Sequence, residues 1–200
     1  MWKGFLTGLV VANGFEWFAH KYILHGTHRA GQARYSPVPE SMRSHWEHHR
    51  EGRKTEFSDI GYVEGYKNWR TRNEIGSLVV VASVFGLAFY PVSKGMVLAT
   101  LYSAGNYYYI HRRAHLEPEW ARKKIPWHYD HHMNSNQDAN WCVTKPWFDY
   151  LLGTRVISSP DLQEKNPLGI ALPEALSTHL TSLANRYFPA KWAKVRDQLQ

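Results

Sequence analysis

Apolar residues gather in three runs along the chain. Residues 4–19 (GFLTGLVVANGFEWFA) form the first. Only Lys3 lies ahead of its core and no small-residue cleavage site follows, because the chain runs straight into His20. The pattern therefore predicts a membrane helix over about 2–20 rather than a signal peptide, with Glu16 close to the polar boundary. Residues 75–92 (IGSLVVVASVFGLAFYPV) and 96–110 (MVLATLYSAGNYYYI) form the other two, with a turn signal from Pro91 to Gly95 between them. Together they predict a helical hairpin. Each run is shorter than the ~20 residues a full crossing needs, so either polar flanks complete the helices or the hairpin stops short of the far side.

The remaining sequence is polar. Helical stretches are expected around 39–52 and 60–72, then from about 173 to 186 with Pro173 in a first-turn position. A short basic amphipathic helix is expected from 189, and residues 134–160 show little periodicity. A mean hydropathy of −0.49 puts much of the chain outside any hydrocarbon layer. The expectation is one domain over 1–200: an all-α, integral membrane helical bundle with a cytoplasmic histidine-rich helical cap. Its parts are membrane segments at about 2–20, 75–92 and 96–110, histidine clusters within 20–49 and 111–132, and a soluble part over 133–200. Sidedness follows from counting. Helix one delivers His20 to one side, and the hairpin leaves that side and returns to it at His111. Of 24 Lys and Arg, only Lys3 and Lys94 then fall on the opposite side. The positive-inside rule makes the histidine side cytoplasmic.

Composition adds three constraints. The net charge of +7 suggests an anionic surface as neighbour, but no concentrated basic tract or nucleic-acid-binding motif accompanies it, so nucleic acid is not an expected partner. Nine Trp and twelve Tyr suit a lipid interface, as they would a soluble aromatic core. Cys142 is the only cysteine, which excludes an intramolecular disulfide and a Cys-rich metal site. It is expected to act as a small buried apolar residue.

Twelve histidines in 200 residues are the compositional outlier, and ten of them form four short clusters. These are His20 and His25; His45, His48 and His49; His111 and His115; and His128, His131 and His132. Residues at i, i+3 and i+4 share a helical face, so each HxxHH triplet and the HxxxH pair can converge. The step from His20 to His25 turns ~140° on a regular helix. These two share a site only if the helix ends or bulges between them, and Gly26 makes an end plausible. Imidazole suits iron, zinc, copper or nickel, and ten rings exceed the needs of one ion. Two metals fit the count, with about five ligands each or four each and two supporting rings. Each half of the chain carries a histidine pair followed by a His-aromatic-acid-His-His cluster, which suggests two pseudo-equivalent halves around a di-metal centre. Glu47 and Asp130 sit ~200° from the first histidine of their clusters, off the metal face, where surface or ligand-supporting roles are expected.

At these clusters, across roughly residues 16–155, the chain resembles the fatty acid hydroxylase/sterol desaturase superfamily. The order HxxxxH, HxxHH, HxxxH, HxxHH carries the likeness. So does the tract from Asn140 to Thr154 (NWCVTKPWFDYLLGT), which resembles that family's C-terminal signature. The tract AHKYILHG at 19–26 is also similar to bacterial carotenoid hydroxylases, while the C-terminal signature favours the fatty acid or sterol branch. The resemblance implies a four-helix membrane core under a cytoplasmic histidine-rich bundle; only three apolar segments are evident here. It implies two metal ions, usually iron, with zinc as the ion of a purified or inactive form. His20, His25, His45, His48, His49, His111, His115, His128, His131 and His132 are the metal ligands it implies. It also implies O2-dependent oxidation of an unactivated C–H bond in a lipid: hydroxylation of an acyl chain, or alternatively desaturation of a sterol or hydroxylation of a carotenoid. No electron-donor domain is evident in the chain, so a separate cytochrome b5-like or ferredoxin-like partner is implied.

Other residues carry weaker signals. Tyr107, Tyr108 and Tyr109 suit a substrate path or interfacial anchoring equally. Arg112 and Arg113 suit lipid headgroups or solvent. Asn136 and Asn140 suit loop capping more than contact with ligands. His28 is close enough to His25 to support it, and His179 has no expected role. A metal transporter or other non-catalytic metal-binding membrane protein is the competing class, but transporters place ionisable residues within the bilayer, whereas these clusters flank the apolar runs. A zinc protease would need HExxH, which is absent from the sequence.

Overall fold

The structure, a computed structural model, describes residues 1–26 and 40–194. Among the described residues the regular elements are helical apart from one short ladder. They run α1 (Trp2–Phe18), α2 (Glu40–Lys54), α3 (Ile60–Glu64), α4 (Trp69–Phe89), α5 (Lys94–Leu116), α6 (Pro118–Lys124), α7 (Pro126–Met133), α8 (Trp147–Leu151) and α9 (Glu174–Tyr187). The ladder is β1 (Val156–Ile157) paired in parallel with β2 (Lys191–Trp192), in the register Val156 to Lys191 and Ile157 to Trp192.

Helices α1 and α4 both pack on α5. The α1–α5 contact depends on missing side chains. A Cβ at Gly8 would stand 2.6 Å from the Ala99 Cβ, and one at Gly95 only 2.3 Å from the Met1 carbonyl oxygen. Gly4 and Gly8 thus form a small-xxx-small face that lets two backbones approach closely. A Cβ at Gly14 would meet the Phe148 ring at 2.7 Å, so α1 also leaves room for the C-terminal part of the chain.

The expected hairpin is present, with α4 ending at Phe89 and α5 starting at Lys94. Of the three apolar segments, α4 alone among the described helices is long and apolar enough to cross a membrane. Helix α1 is shorter, at 17 residues, and the last turns of α5 carry His111, Arg112, Arg113 and His115. Apolar side chains are nevertheless exposed on all three, among them Leu6, Val10, Val80, Val84, Leu87, Leu98 and Leu101. Exposed apolar side chains are thus spread along all three long helices.

Two expectations change. The stretch 60–72 is not one helix: Gly65 adopts φ +61°, a 3-10 turn follows, and extended Asn68 caps α4 by accepting from Arg70 N (2.9 Å). Asp59 caps α3 in the same way, accepting from Gly61 N at 2.7 Å. Where a basic helix is expected from 189, residues 191–192 form β2 instead, because the backbone there pairs with β1: Lys191 N donates to Arg155 O and Ala193 N to Ile157 O; the expectation beyond 194 lies outside the described residues.

The glycine contact gives a direct test. Gly8→Leu should destabilise the protein by about 1–3 kcal/mol or more through overpacking. Gly76→Ala, on α4 with nothing within 4 Å, should stabilise it by about 0.5–1 kcal/mol. Thermal unfolding of the two purified variants checks both; equal melting temperatures would refute the close-packing account.

Candidate metal centre

The ten cluster histidines are all buried, each 7% exposed or less. Nine of them fall into two sets of converging donors, within 4.8 Å of one another in each set: His20, His25, His45, His49 and His131, and His48, His111, His115 and His132. His128 falls outside both sets, yet its ring lies 4.7 Å from His132 and 5.0 Å from His111.

The five-residue step is solved by a π-helical turn over Ala19–Leu24. His25 N donates to His20 O at 3.0 Å, an i to i+5 bond that brings the two nearly into register. Their rings sit 5.1 Å apart.

The two halves exchange one histidine each. From α2, His45 and His49 join the His20–His25 pair, while His48 crosses to His111 and His115. From α7, His132 joins His111 and His115, with His128 beside it, while His131 crosses to the first group. Ring spacings repeat across the exchange: His45–His49 is 4.6 Å and His128–His132 4.7 Å; His131–His49 is 4.8 Å and His48–His132 4.9 Å. His49 and His132 stack face to face at 3.9 Å and 11°, where the halves meet. The internal echo in the sequence is thus a pseudo-two-fold arrangement of rings.

Proton placement tests the fit to metal ions. His20 Nδ1 lies 2.5 Å from Trp141 O and His131 Nδ1 2.6 Å from Ala139 O. A carbonyl only accepts, so both rings carry their proton on Nδ1 and present a lone pair at Nε2. Those lone pairs face other imidazoles: His20 Nε2 is 3.1 Å from His45 Nε2, and His131 Nε2 is 3.2 Å from His25 Nε2. The second group obeys the same rule with stronger acceptors. His48 Nδ1 donates to Asp59 Oδ2 (2.6 Å), His111 Nδ1 to Glu74 Oε1 (2.6 Å) and His115 Nδ1 to Phe57 O (2.6 Å). The Nε2 atoms of His48, His111 and His115 and both nitrogens of His128 and His132 are buried without a hydrogen-bond partner. Clustered, unpaired imidazole lone pairs are the donor set a nitrogen-ligated cation takes.

Burial, reinforced by neighbouring imidazoles, holds the pKa values of His25, His45, His49, His115, His128 and His132 well below the usual 6.5. His48 is lowered by burial, His111 and Arg70, and His131 falls to about 4, chiefly through burial. These eight rings are therefore neutral, as ligands must be.

Supporting residues come from outside the clusters. Arg70 Nη2 donates to Asp59 Oδ1 (2.7 Å), and the Tyr62 hydroxyl donates to Glu74 Oε2 (2.7 Å) while lying 2.8 Å from His111 Nδ1. Gln137 meets His49 Nδ1 at 3.3 Å, and with its amide oxygen on that side it also accepts from Arg53. The Trp141 ring covers His25 (4.8 Å) and His131 (5.4 Å), and Phe57 stacks on His115 (4.3 Å). These roles escape a periodicity argument. Asp59 reads only as a helix cap, and Glu74 only as a single acid at the edge of an apolar run.

The sequence-marked tract from Asn140 to Thr154 has a mechanical role. Asp149 accepts from Trp141 N and Cys142 N, both at 2.8 Å, and from the Thr154 hydroxyl (2.7 Å), with Gly153 turning at φ +64°. Glu16 of α1 accepts from Thr144 N (2.8 Å) and the Thr144 hydroxyl (2.7 Å), and Trp17 Nε1 donates to Thr154 Oγ1 (2.9 Å). The tract is thereby fixed to α1, with the Trp141 carbonyl aimed at His20. Cys142 is buried and burial pushes its thiol pKa up, so it is an unreactive packing residue.

The other candidates are placed as follows. Asp130 is buried but meets Ser158 N (3.1 Å) and Arg155 Nη1 (3.4 Å), and no cluster ring. Arg155 is itself buried and paired with Glu164 at 2.7 Å. Glu47 contributes its carbonyl to Arg70 (3.4 Å). Asn140 bridges Val156 N and O at 2.8 Å and Asn136 caps Asp138 N at 3.0 Å, as loop capping requires. Arg113 pairs with Glu117 (3.1 Å) and lies over Trp120, and Arg112 is exposed. His179 is exposed on α9, and His28 lies outside the described residues.

A cavity of about 250 Å3 reaches the rings. It is lined by His20, His45, His48 and His111, by the polar Asp59, Arg70, Asn73 and Glu74 and by Glu16, by Val11 and Phe15 of α1, by Leu78, Val81 and Phe85 of α4, and by Ser103, Ala104 and Tyr107 of α5. Fold and site together define an all-helical protein with two buried histidine groups able to hold metal ions. Comparison with family models, with curated proteins and with solved structures finds no match to this chain.

Two measurements follow. Asp59→Asn and Glu74→Gln should each weaken metal binding at the second group about 10–100-fold and leave the first group unchanged. Metal titration followed by elemental analysis checks this, and equal loss at both groups would refute it. Acidification should destabilise the metal-free protein. The folded-state pKa values lie below 6.5, so the unfolded chain binds more protons; stability is complete above about 6.5 and is lost as pH falls toward about 4. Denaturant midpoints across that window should fall with pH, and a flat profile would contradict neutral burial of the rings.

Proposed function

We propose that this chain is a membrane-embedded oxygenase of the fatty acid hydroxylase/sterol desaturase type, hydroxylating a lipid acyl chain with two histidine-held metal ions. The observation that carries the reading is the apolar cavity that ends on the histidines. Beyond Leu78 its α4 wall is apolar, with Val81, Ala82, Phe85 and Phe89, which suits a hydrocarbon chain, and its polar end, with Ser44, Asn73 and Ser77, opens onto His20, His45, His48 and His111. The exposed apolar side chains on α1, α4 and α5 support a membrane setting, and the excess of Lys and Arg toward the histidine end supports a cytoplasmic location for that end.

When bound, the metal pair, read as iron because zinc has no redox chemistry, supplies the O2 activation that side chains lack. One C–H, one O2, two electrons and two protons become one alcohol and one water. The electrons come from a separate donor of the cytochrome b5 or ferredoxin class. The protein contributes the rest. Asp59 and Glu74 fix two rings and strengthen them as donors. Trp141 and Phe57 exclude water from the two groups. The walls of α1 and α4 hold the chain beside the histidines, replacing a bimolecular encounter by a positioned one. Transport of metal ions is the weaker reading, because α4 between Glu74 and Phe89 and α5 between Lys94 and His111 carry no charged residue to pass an ion along.

Comparative lipid mass spectrometry of membranes with and without the protein, supplied with reductant and O2, tests the proposal. A lipid gaining one oxygen atom is expected; loss of two hydrogens would identify desaturation instead. His48→Ala and His131→Ala should each lower product by about 100-fold or more, since each removes a donor from a different group. Unchanged product in both variants would sink the reading.

A further inference from the structure

Away from the histidines the cavity is lined by three phenylalanines, together with Val11 of α1 and Thr100 of α5. Phe15 of α1 and Phe85 of α4 meet across the cleft between the helices, ring centroids 4.7 Å apart at 63°. Phe89, one turn further along α4, packs on Phe85 at 5.6 Å. All three line the cavity. The lined face of α4 runs from Glu74, beside His111, to Phe89, a distance of about 22 Å at 1.5 Å per residue. A volume of about 250 Å3 drawn out over that length is a slot rather than a chamber.

The walls of the slot differ along its length. Near the rings it is polar, with Ser44, Asn73 and Ser77; beyond Leu78 the α4 face is Val81, Ala82, Phe85 and Phe89. Both walls come from helices that pack on α5 and meet each other at this level through ring contact. Aromatic pairs of this geometry are worth about 0.5–1.5 kcal/mol, enough to favour closure yet weak enough to open thermally. The outer surfaces of the same helices, at Val10, Val80 and Val84, are exposed and apolar.

Resting on the lipid reading above, we propose that Phe15 and Phe85, backed by Phe89, form a gate between α1 and α4 that admits a single unbranched acyl chain sideways and limits how far it extends from the histidines. The ring pair closes the cleft once a chain lies in the slot, and Phe89 sets the stop. A fused-ring lipid is too broad and too stiff to pass between the rings.

Binding and oxidation are measured separately on the full-length protein. Photoreactive diazirine-bearing fatty acids of graded length, and a diazirine-bearing sterol, are crosslinked to the purified protein and the labelled peptides mapped. Fatty acids should label the peptide holding Phe85 and Phe89, and the sterol should not. Phe85→Ala and Phe89→Ala should each move the preferred length upward by about two to four carbons, into the volume the ring vacates. Val84→Ala, on the exposed face of α4, should leave the preference unchanged. A length profile identical in wild type and in both Phe variants, or preferential labelling by the sterol, overturns the gate. Length-dependent labelling that shifts as expected with no oxidised lipid keeps the gate and removes the oxygenase reading. Oxidation with an unshifted length profile keeps the oxygenase and removes the gate.

Discussion

An imidazole buried away from water must settle two ring nitrogens, one by donating its proton to an acceptor and the other by facing something that accepts a lone pair. His20, His131 and His115 give their Nδ1 protons to carbonyls, and His48 and His111 give theirs to carboxylates. Their Nε2 atoms then crowd together in two places. The loop carrying Trp141, the short helix capped by Asp59 and the first turns of α4 carrying Glu74 are all held where they must be to supply those acceptors. Much of the architecture outside the long helices serves this accounting of protons.

The long helices set the distances. Close approach of α1 to α5 through Gly4, Gly8 and Gly95 brings the ends of both helices to one level, so that His20 and His111 share an end of the molecule. The π turn then swings His25 back under His20. The two groups are alike in ring geometry and unlike in backing: carbonyls serve the first, and two carboxylates serve the second. A carboxylate-backed imidazole is the stronger donor, so the two positions offer ions different electronic surroundings within one pseudo-symmetric frame.

Much of this was legible in the residues. Helical spacing located the clusters and the apolar runs located the three long helices, because both signals are local and periodic. The requirement for a bulge or an end between His20 and His25 came from the angle alone, and the π turn met it before Gly26. The exchange of His48 and His131 was not legible, since which face of α2 meets which face of α7 is a tertiary fact. The same holds for Asp59 and Glu74, whose partners lie 11 and 37 residues away. The break of 60–72 at Gly65 and Asn68 shows a local cap overriding a weak helical pattern. At 191–192, β2 stands where the start of a helix is expected, and there a distant backbone, β1, does the same.

The bond from His20 to the Trp141 carbonyl spans 121 residues. At a synthesis rate of roughly 5–20 residues per second, His20 leaves the ribosome about 6–24 s before the carbonyl that orients it exists. During that interval the π turn after α1 carries histidines whose tautomers are unset, beside α2 histidines in the same condition. An ion met early would find a loose, mixed set of rings rather than the finished group. Chain connectivity therefore sets an order: the first histidine group is complete only once Trp141 has been made.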